Sequence, residues 1–353
     1  MVKLTHIGAA VVAAALVVGI SAVPVQAETL TLVSWGGKMQ EANRKAHWGP
    51  ATEALGIDYV EDTLSNGYAD IKVQVEAGAV TWDIVQGGAG EAMRGGADGN
   101  VEPIDYSVID VTHVPENLRN DYCVGMLTYS TMMAYNTDTY GNNGPKTWAD
   151  FWDVDKFPGA RSMRARPAGN LEFALIADGV PMDKVYDVLS SDGGIERALD
   201  KMREIVPHVA VWWSSGAHHA QLMKDGEVDM STGWNGRFSG AIDDGANAAL
   251  NFNQGQIAFD CYYVPKGAPN KDMAMKLIGE MTKPIYQANL TKYIAYGPTN
   301  MEAFEIGVIT PEVAASLPSS PANAKIQFVN DAEWWRINGA RAEEMFEDRK
   351  SVV

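Results

Sequence analysis

The side chains able to do chemistry in this 353-residue chain fall into a few groups, and most of them lack the spacing that catalysis needs. His218 and His219 are adjacent on a predicted helix, so their rings point about 100° apart. A zinc pair needs two histidines four apart on one face, and neither His-Glu-x-x-His nor Cys-x-x-Cys occurs. The pair therefore reads as a surface or cleft-rim feature, and no metal is expected. Gly87, Gly88, Gly90, Gly95, Gly96 and Gly99 invite a nucleotide reading. The Gly-Lys-Ser/Thr ending of a phosphate loop is missing, and Met93 stands where the dinucleotide fingerprint needs its third glycine. Flexible loop or turn chemistry is the better reading. There is no Gly-x-Ser-x-Gly elbow either. Without a nucleophile, base or metal set, the pattern predicts a binding protein that is not an enzyme and carries no cofactor. What remains is aromatic: Trp35 and Trp234 are each followed by small residues, Gly36-Gly37 and Asn235-Gly236, and both are candidates to present a ring to a ligand.

The elements that position these residues alternate. Leu30 to Val33 reads as a strand, Met39 to Leu55 as helical, Ile57 to Val60 as a strand, Tyr68 to Ala77 as a helix and Trp82 to Val85 as a strand. Such alternation predicts an α/β sheet with crossover helices. Ligands bind outside the carboxyl ends of its strands, where Trp35-Gly36-Gly37 and Gln86-Gly87-Gly88 fall. A second α/β unit spans about 133 to 257, with a strand over Val209 to Trp213, a helix capped by Ser215, and a strand over Val228 to Thr232 that leads into Trp234. Tyr122 to Tyr135 and Ile257 to Val264 are β-like passages with no helical crossover, and each carries one cysteine. Two extended passages joining two α/β units make a hinge. The division expected is 28–130 plus 260–308 for the first lobe and 131–259 plus 309–353 for the second. Trp148, Trp152, Trp334 and Trp335 sit in helical patterns and are expected in the packing.

Before Glu28 the chain has one lysine, Lys3, no acid, and an apolar run from Ile7 to Val23 ending in Val25-Gln26-Ala27. This is the order of a secretory signal peptide cut after Ala27, which places the mature chain in the periplasm. The formal net charge of −17 would be repelled by phosphate backbones, so no nucleic-acid partner is expected. Two cysteines in an oxidising compartment predict one disulfide, Cys123 to Cys261.

From Leu30 onward the chain resembles the spermidine/putrescine-type solute-binding proteins of ABC importers. The resemblance rests on pieces in order: Ser34-Trp35; Trp82-Asp83-Ile84-Val85 before Gly87-Gly88; Ala134-Tyr135-Asn136; Thr147-Trp148-Ala149-Asp150-Phe151; Trp213-Ser214-Ser215; Gly226-Glu227-Val228 before Trp234-Asn235-Gly236; Phe259-Asp260 before Val264-Pro265-Lys266-Gly267; and Tyr296-Gly297-Pro298-Thr299-Asn300. It implies a periplasmic-binding-protein-like α/β fold of two lobes joined by β-strand hinge crossovers. It also implies a small amine-bearing solute in the cleft, an ABC transporter permease as partner, and a monomeric receptor.

By position the resemblance implies ligand contacts from Trp35, Gly36, Gly88, Glu172, Trp213, Trp234, Arg237 and Asp260. Aromatic walls and carboxylates suit an alkyl-ammonium solute. Gly88 stands where the family carries a serine, so any contact there is lost or made by backbone. Arg237 stands where the polyamine pattern carries an aspartate. An arginine repels an ammonium and accepts a carboxylate bidentately. The residues therefore admit a polyamine, with Arg237 paired to a nearby acid, or a zwitterionic ω-amino acid such as 4-aminobutyrate. A ferric-ion receptor on the same fold would use Tyr262-Tyr263, but strand alternation sends these to opposite faces. A secreted enzyme using the cleft is the third class.

Overall fold

The computed structural model describes residues 29–350; the expected leader, 1–27, lies outside them. Ten strands form one sheet: β1 (Thr29–Ser34), β2 (Asp58–Thr63), β3 (Ile84–Gly88), β4 (Arg119–Asn120), β5 (Cys123–Asn136), β6 (Arg161–Arg164), β7 (Val209–Trp213), β8 (Met230–Trp234), β9 (Ala248–Tyr263) and β10 (Phe328–Val329). The main path runs β2-β1-β3-β9-β5-β8-β6-β7, with β4 on β5 and β10 on β9. Strands β2, β1 and β3 are parallel, as are β8, β6 and β7. Leu30, Leu32 and Val33 of β1 are all buried although they alternate in direction, as expected for a parallel strand covered by helices on both faces.

The two parallel sets are joined by one antiparallel ribbon. β5 and β9 pair from Val124↔Tyr262 to Asn136↔Ala248. β3 joins the ribbon at Val85↔Tyr263 to Gly88↔Asp260, and β8 joins it at Thr131↔Trp234 to Tyr135↔Met230. The two extended passages of the sequence are thus long strands running from one half of the molecule into the other. Apolar residues cluster separately in the two halves. One half has a core on each sheet face, with Tyr262 in one and Tyr263 in the other. The other centres on Met133, Trp148, Phe151, Met163 and Phe173.

Several details differ from the sequence reading. β9 begins at Ala248, not near Ile257, because Asn251, Asn253, Gln254 and Gly255 hide the strand among polar residues. Gln254 has a φ of 61°, and its backbone and side-chain oxygens accept 2.8 and 2.9 Å bonds from the Trp148 indole and backbone N–H. Ile309 and Leu317 pack on Ala288 and Ala303, not on the second core. The C-terminal helix, Ala332–Lys350, sends Trp334, Ala342 and Phe346 into the second core and also packs on the helix Ala89–Ala97 of the first half. The glycine cluster is a strand end followed by that helix rather than a flexible loop. Its glycines are needed for close packing: a Cβ on Gly95 would collide with Val101 and Tyr68, and one on Gly96 with Tyr122.

Cys123 and Cys261 form a disulfide with a Cα–Cα distance of 5.6 Å. Both are fully buried beside Phe259 and Tyr263, so the bridge staples the ribbon inside the first half.

Candidate functional site

The carboxyl ends of β1 and β3 and the antiparallel strand β9 bring Trp35, Gly88 and Asp260 together. β1 ends at Ser34, and Gly36 follows Trp35 with φ 70° and ψ −173°, a conformation that glycine tolerates best. A Cβ there would also lie 3.1 Å from the Thr63 methyl. This turn leaves Trp35 39 % exposed. Asp260 sits opposite Gly88 across the β3–β9 ladder. Its carboxylate accepts a 2.9 Å bond from Gln86, and the Trp35 side chain bears on it as well. Gln86 is in turn fixed by Ser34 and Asn43 at 2.7 and 2.5 Å. Burial pushes the Asp260 carboxyl up to about 6, against the pull of Gln86 and Trp35. A Cβ at Gly88 would meet open space, so the missing serine leaves room next to Asp260.

The other half contributes Arg164 from the end of β6, Trp213 from the end of β7, Trp234 from the end of β8, and Arg237 from the helix Asn235–Asp243. The Arg164 guanidinium lies 5.3 Å from the Trp234 ring centre and 5.9 Å from that of Trp213, within cation–π range of both. Burial lowers its pKa. The two indoles meet edge to face at 5.5 Å. Arg237 lies alongside: a Cβ on Gly216 would be 2.7 Å from Trp234 and 3.2 Å from the Arg237 Nε. Among the described residues, neither Arg164 nor Arg237 has a carboxylate within ion-pair distance, and neither Asp260 nor Glu91 has a cationic partner.

Tyr129 of β5 and Tyr296 join the two groups. Their ring centres are 6.2 Å apart, and Tyr129 meets Trp234 edge to face at 6.5 Å. Burial raises the pKa of both phenols, Tyr296 to about 12; Asp260 adds to both shifts, whereas Arg164 opposes that of Tyr129 and Arg237 that of Tyr296. A Cβ on Gly236 would collide with the Tyr296 ring, so the glycine before Arg237 lets that ring pack close. The arrangement presents aromatic walls, a carboxylate at one end and two guanidiniums at the other.

Two sequence expectations need correction. Glu172 is wholly buried within the second half. Its carboxylate accepts bonds from the Gly169 N–H, the Tyr186 hydroxyl, the Gln256 amide and the Trp335 indole, all at 2.8–2.9 Å. With both oxygens occupied it has nothing left for a solute. His219 is no surface residue: it stacks on Trp213 at 4.5 Å and packs against Phe238, while His218 stays exposed. Burial, with Arg237 adding, drives its imidazole down to about 3, so it is neutral. Trp213 is fully covered and backs Trp234 and Arg164. Tyr262 is held by the Trp48 indole at 3.2 Å on one sheet face, and Tyr263 lies on the other. Tyr129 and Glu91 were missed because nothing in a single strand or a glycine-rich stretch marks them, whereas Gln86 was placed at a ligand-side strand end without a role. Tyr296 was visible in the sequence as part of a family motif but had no assigned role, and Arg164 was not among the implied contacts.

Residues 59–319 match the family of bacterial extracellular solute-binding proteins. The chain is 32 % identical over 327 residues, 92 % of each chain, to the gamma-aminobutyric acid-binding protein of Pseudomonas aeruginosa. It is 23 % identical over 303 residues, 82 % of each chain, to the spermidine/putrescine-binding periplasmic protein of Escherichia coli. Among solved structures it is similar to the PBP MotA of A. tumefaciens B6 in complex with glucopine, at 44 % identity and a TM-score of 0.83, covering 91 % of this chain and 99 % of that one. The two-lobed sheet, the family match over most of its length and these relatives agree: the chain belongs to the bacterial extracellular solute-binding protein family and is the substrate-binding protein of an ABC transporter, not an enzyme.

Proposed function

We propose that this protein captures a zwitterionic, amino-acid-like solute in the periplasm and delivers it to its permease, with the ammonium at Trp35 and Asp260 and the carboxylate at Arg164 and Arg237. One observation carries the reading: among the described residues the Arg164 and Arg237 guanidiniums have no carboxylate within ion-pair distance, while Asp260, at the other end, has no cationic partner. Burial weighs on Arg164 and Asp260, and a solute of complementary charge relieves that cost, while Arg237 adds a second guanidinium from the exposed rim. A diamine would satisfy Asp260 and meet repulsion at the arginines. The 32 % identity to a gamma-aminobutyric acid-binding protein supports a zwitterion over the polyamine suggested by the motif order. The glucopine complex of a 44 % identical neighbour supports a cleft that takes larger solutes too. Hinge bending of the β5–β9 ribbon would close the halves on the solute.

The test is a thermal-shift and calorimetric comparison of three four-carbon solutes: 4-aminobutyrate, putrescine and butyrate. A ligand at 100 times its Kd adds about 2.7 kcal/mol to stability. The zwitterion should stabilise the protein, and neither single-charge-type analogue should. Stabilisation by putrescine alone would return the site to the polyamines.

A further inference from the structure

Glu91 lies in the first turn of the helix Ala89–Ala97, next to the amine end of the cleft. Two glycines make room for it. A Cβ on Gly67 would collide with Glu91 Oε1, and one on Gly87 would lie 2.9 Å from Oε2 and collide with the Tyr263 hydroxyl. The carboxylate is within reach of the backbone N–H groups of Gly88 and Tyr68, at the starts of the helices Ala89–Ala97 and Tyr68–Glu76. It therefore bridges the N-termini of two helices directly behind the Gly87–Gly88 strand end that faces Cys261 and Asp260. The Tyr263 hydroxyl beside it is fully buried, and neither that hydroxyl nor Glu91 Oε2 makes a well-formed hydrogen bond.

Resting on the solute reading above, we propose that Glu91 is the positioning residue of the amine end: it holds the Gly87–Gly88 strand end that pairs with Asp260 and, through its charge, couples capture of the solute ammonium to release of a proton.

The groups that bear most strongly on the pair fit this role. Glu91 faces Asp260 and Tyr263 of β9, Tyr68 of the neighbouring helix and, farther off, Tyr129 of β5. Arg94, on its own helix, is turned to the Tyr68 ring at 5.6 Å, and Asp98 takes the Tyr68 hydroxyl at 2.8 Å. Asp260 faces Gln86, Trp35, Tyr129, Tyr296, Tyr262 and Tyr263. No lysine or arginine among the described residues pairs with either carboxylate. Burial, and then the Asp260 charge, push Glu91 up to about 7. Two neighbouring acids with no cation between them titrate as a coupled pair, so the empty cleft retains a proton that an arriving ammonium displaces.

The test has two arms on the mature chain. In the first, carboxyl-carbon NMR follows the titration of the solute-free protein and of Asp260→Asn. Glu91 should titrate near 7 in the wild type and lower in Asp260→Asn, because the neighbouring charge is gone. A Glu91 midpoint near 4.5, or one unmoved in Asp260→Asn, overturns the proposal. In the second, the Kd for 4-aminobutyrate is measured from pH 5 to 8. Affinity should rise by up to about tenfold per pH unit until the pair is ionised, and the rise should end at lower pH in Glu91→Gln. Superimposable profiles overturn it. Glu91→Asp keeps the charge, so it should keep the wild-type form of the profile and separates loss of charge from loss of fold. If 4-aminobutyrate fails to bind at all, the solute reading fails while the NMR arm still decides this one.

Discussion

Replacing Arg164 by glutamine tests the carboxylate end most directly, because its cost can be divided into a folding part and a binding part. In the empty protein the guanidinium is largely desolvated and has no carboxylate within ion-pair distance among the described residues. Burying such a group costs several kcal/mol. Trp234 and Trp213, 5.3 and 5.9 Å away, return about 0.5–2 kcal/mol each as cation–π partners. These contributions nearly offset each other, so Arg164→Gln should change the stability of the empty protein by less than about 2 kcal/mol. In the occupied cleft the same side chain would donate charge-assisted bonds to the solute carboxylate. Truncating one member of such a buried pair costs about 2–5 kcal/mol, or roughly 30-fold to several thousand-fold in Kd. Calorimetry with 4-aminobutyrate, alongside thermal unfolding with and without solute, measures both parts. The expected result is a nearly unchanged melting temperature for the empty protein and an almost abolished ligand-induced shift. A Kd within threefold of wild type together with a melting temperature lowered by more than about 8 °C would assign Arg164 to the scaffold and refute the charge-opposition argument.

Two further outcomes separate scaffold from site. Glu172→Ala should cost about 3 kcal/mol or more in urea unfolding, because four donors lose their acceptor inside the second half, and it should leave solute preference unchanged. Replacing both Cys123 and Cys261 by alanine should lower stability by up to about 4–5 kcal/mol, the chain-entropy value for so long a loop, with solute affinity altered less than twofold; guanidinium unfolding with parallel calorimetry checks both halves of that statement.

Periodicity alone was enough to read much of the architecture. Alternating strand and helix patterns specify an α/β sheet because each apolar period has only one way to be buried, and the helix-free passages around Cys123 and Cys261 mark the ribbon between the halves. The strand-end positions of Trp35 and Trp234 were legible for a related reason: small residues straight after a large ring mark the turn at a strand's carboxyl end. The beginning of β9 was not legible, because its polar residues are satisfied by Trp148 and Pro145 from about a hundred residues earlier in the chain.

The charges of the site were decided only in three dimensions. Glu172 and Asp260 are both acids near apolar residues in sequence, yet one folds into a nest of four donors and the other into a cleft with a single amide and an indole. Arg164 is one of two arginines in a four-residue strand until Trp213 and Trp234 close around it. Glu91 becomes visible only when Gly67 and Gly87 leave it space. Sequence determined which residue types were available and which strand ends they reach; whether a charge is paired depends on neighbours tens to hundreds of residues away, and only the folded chain sets that balance of burial and partner.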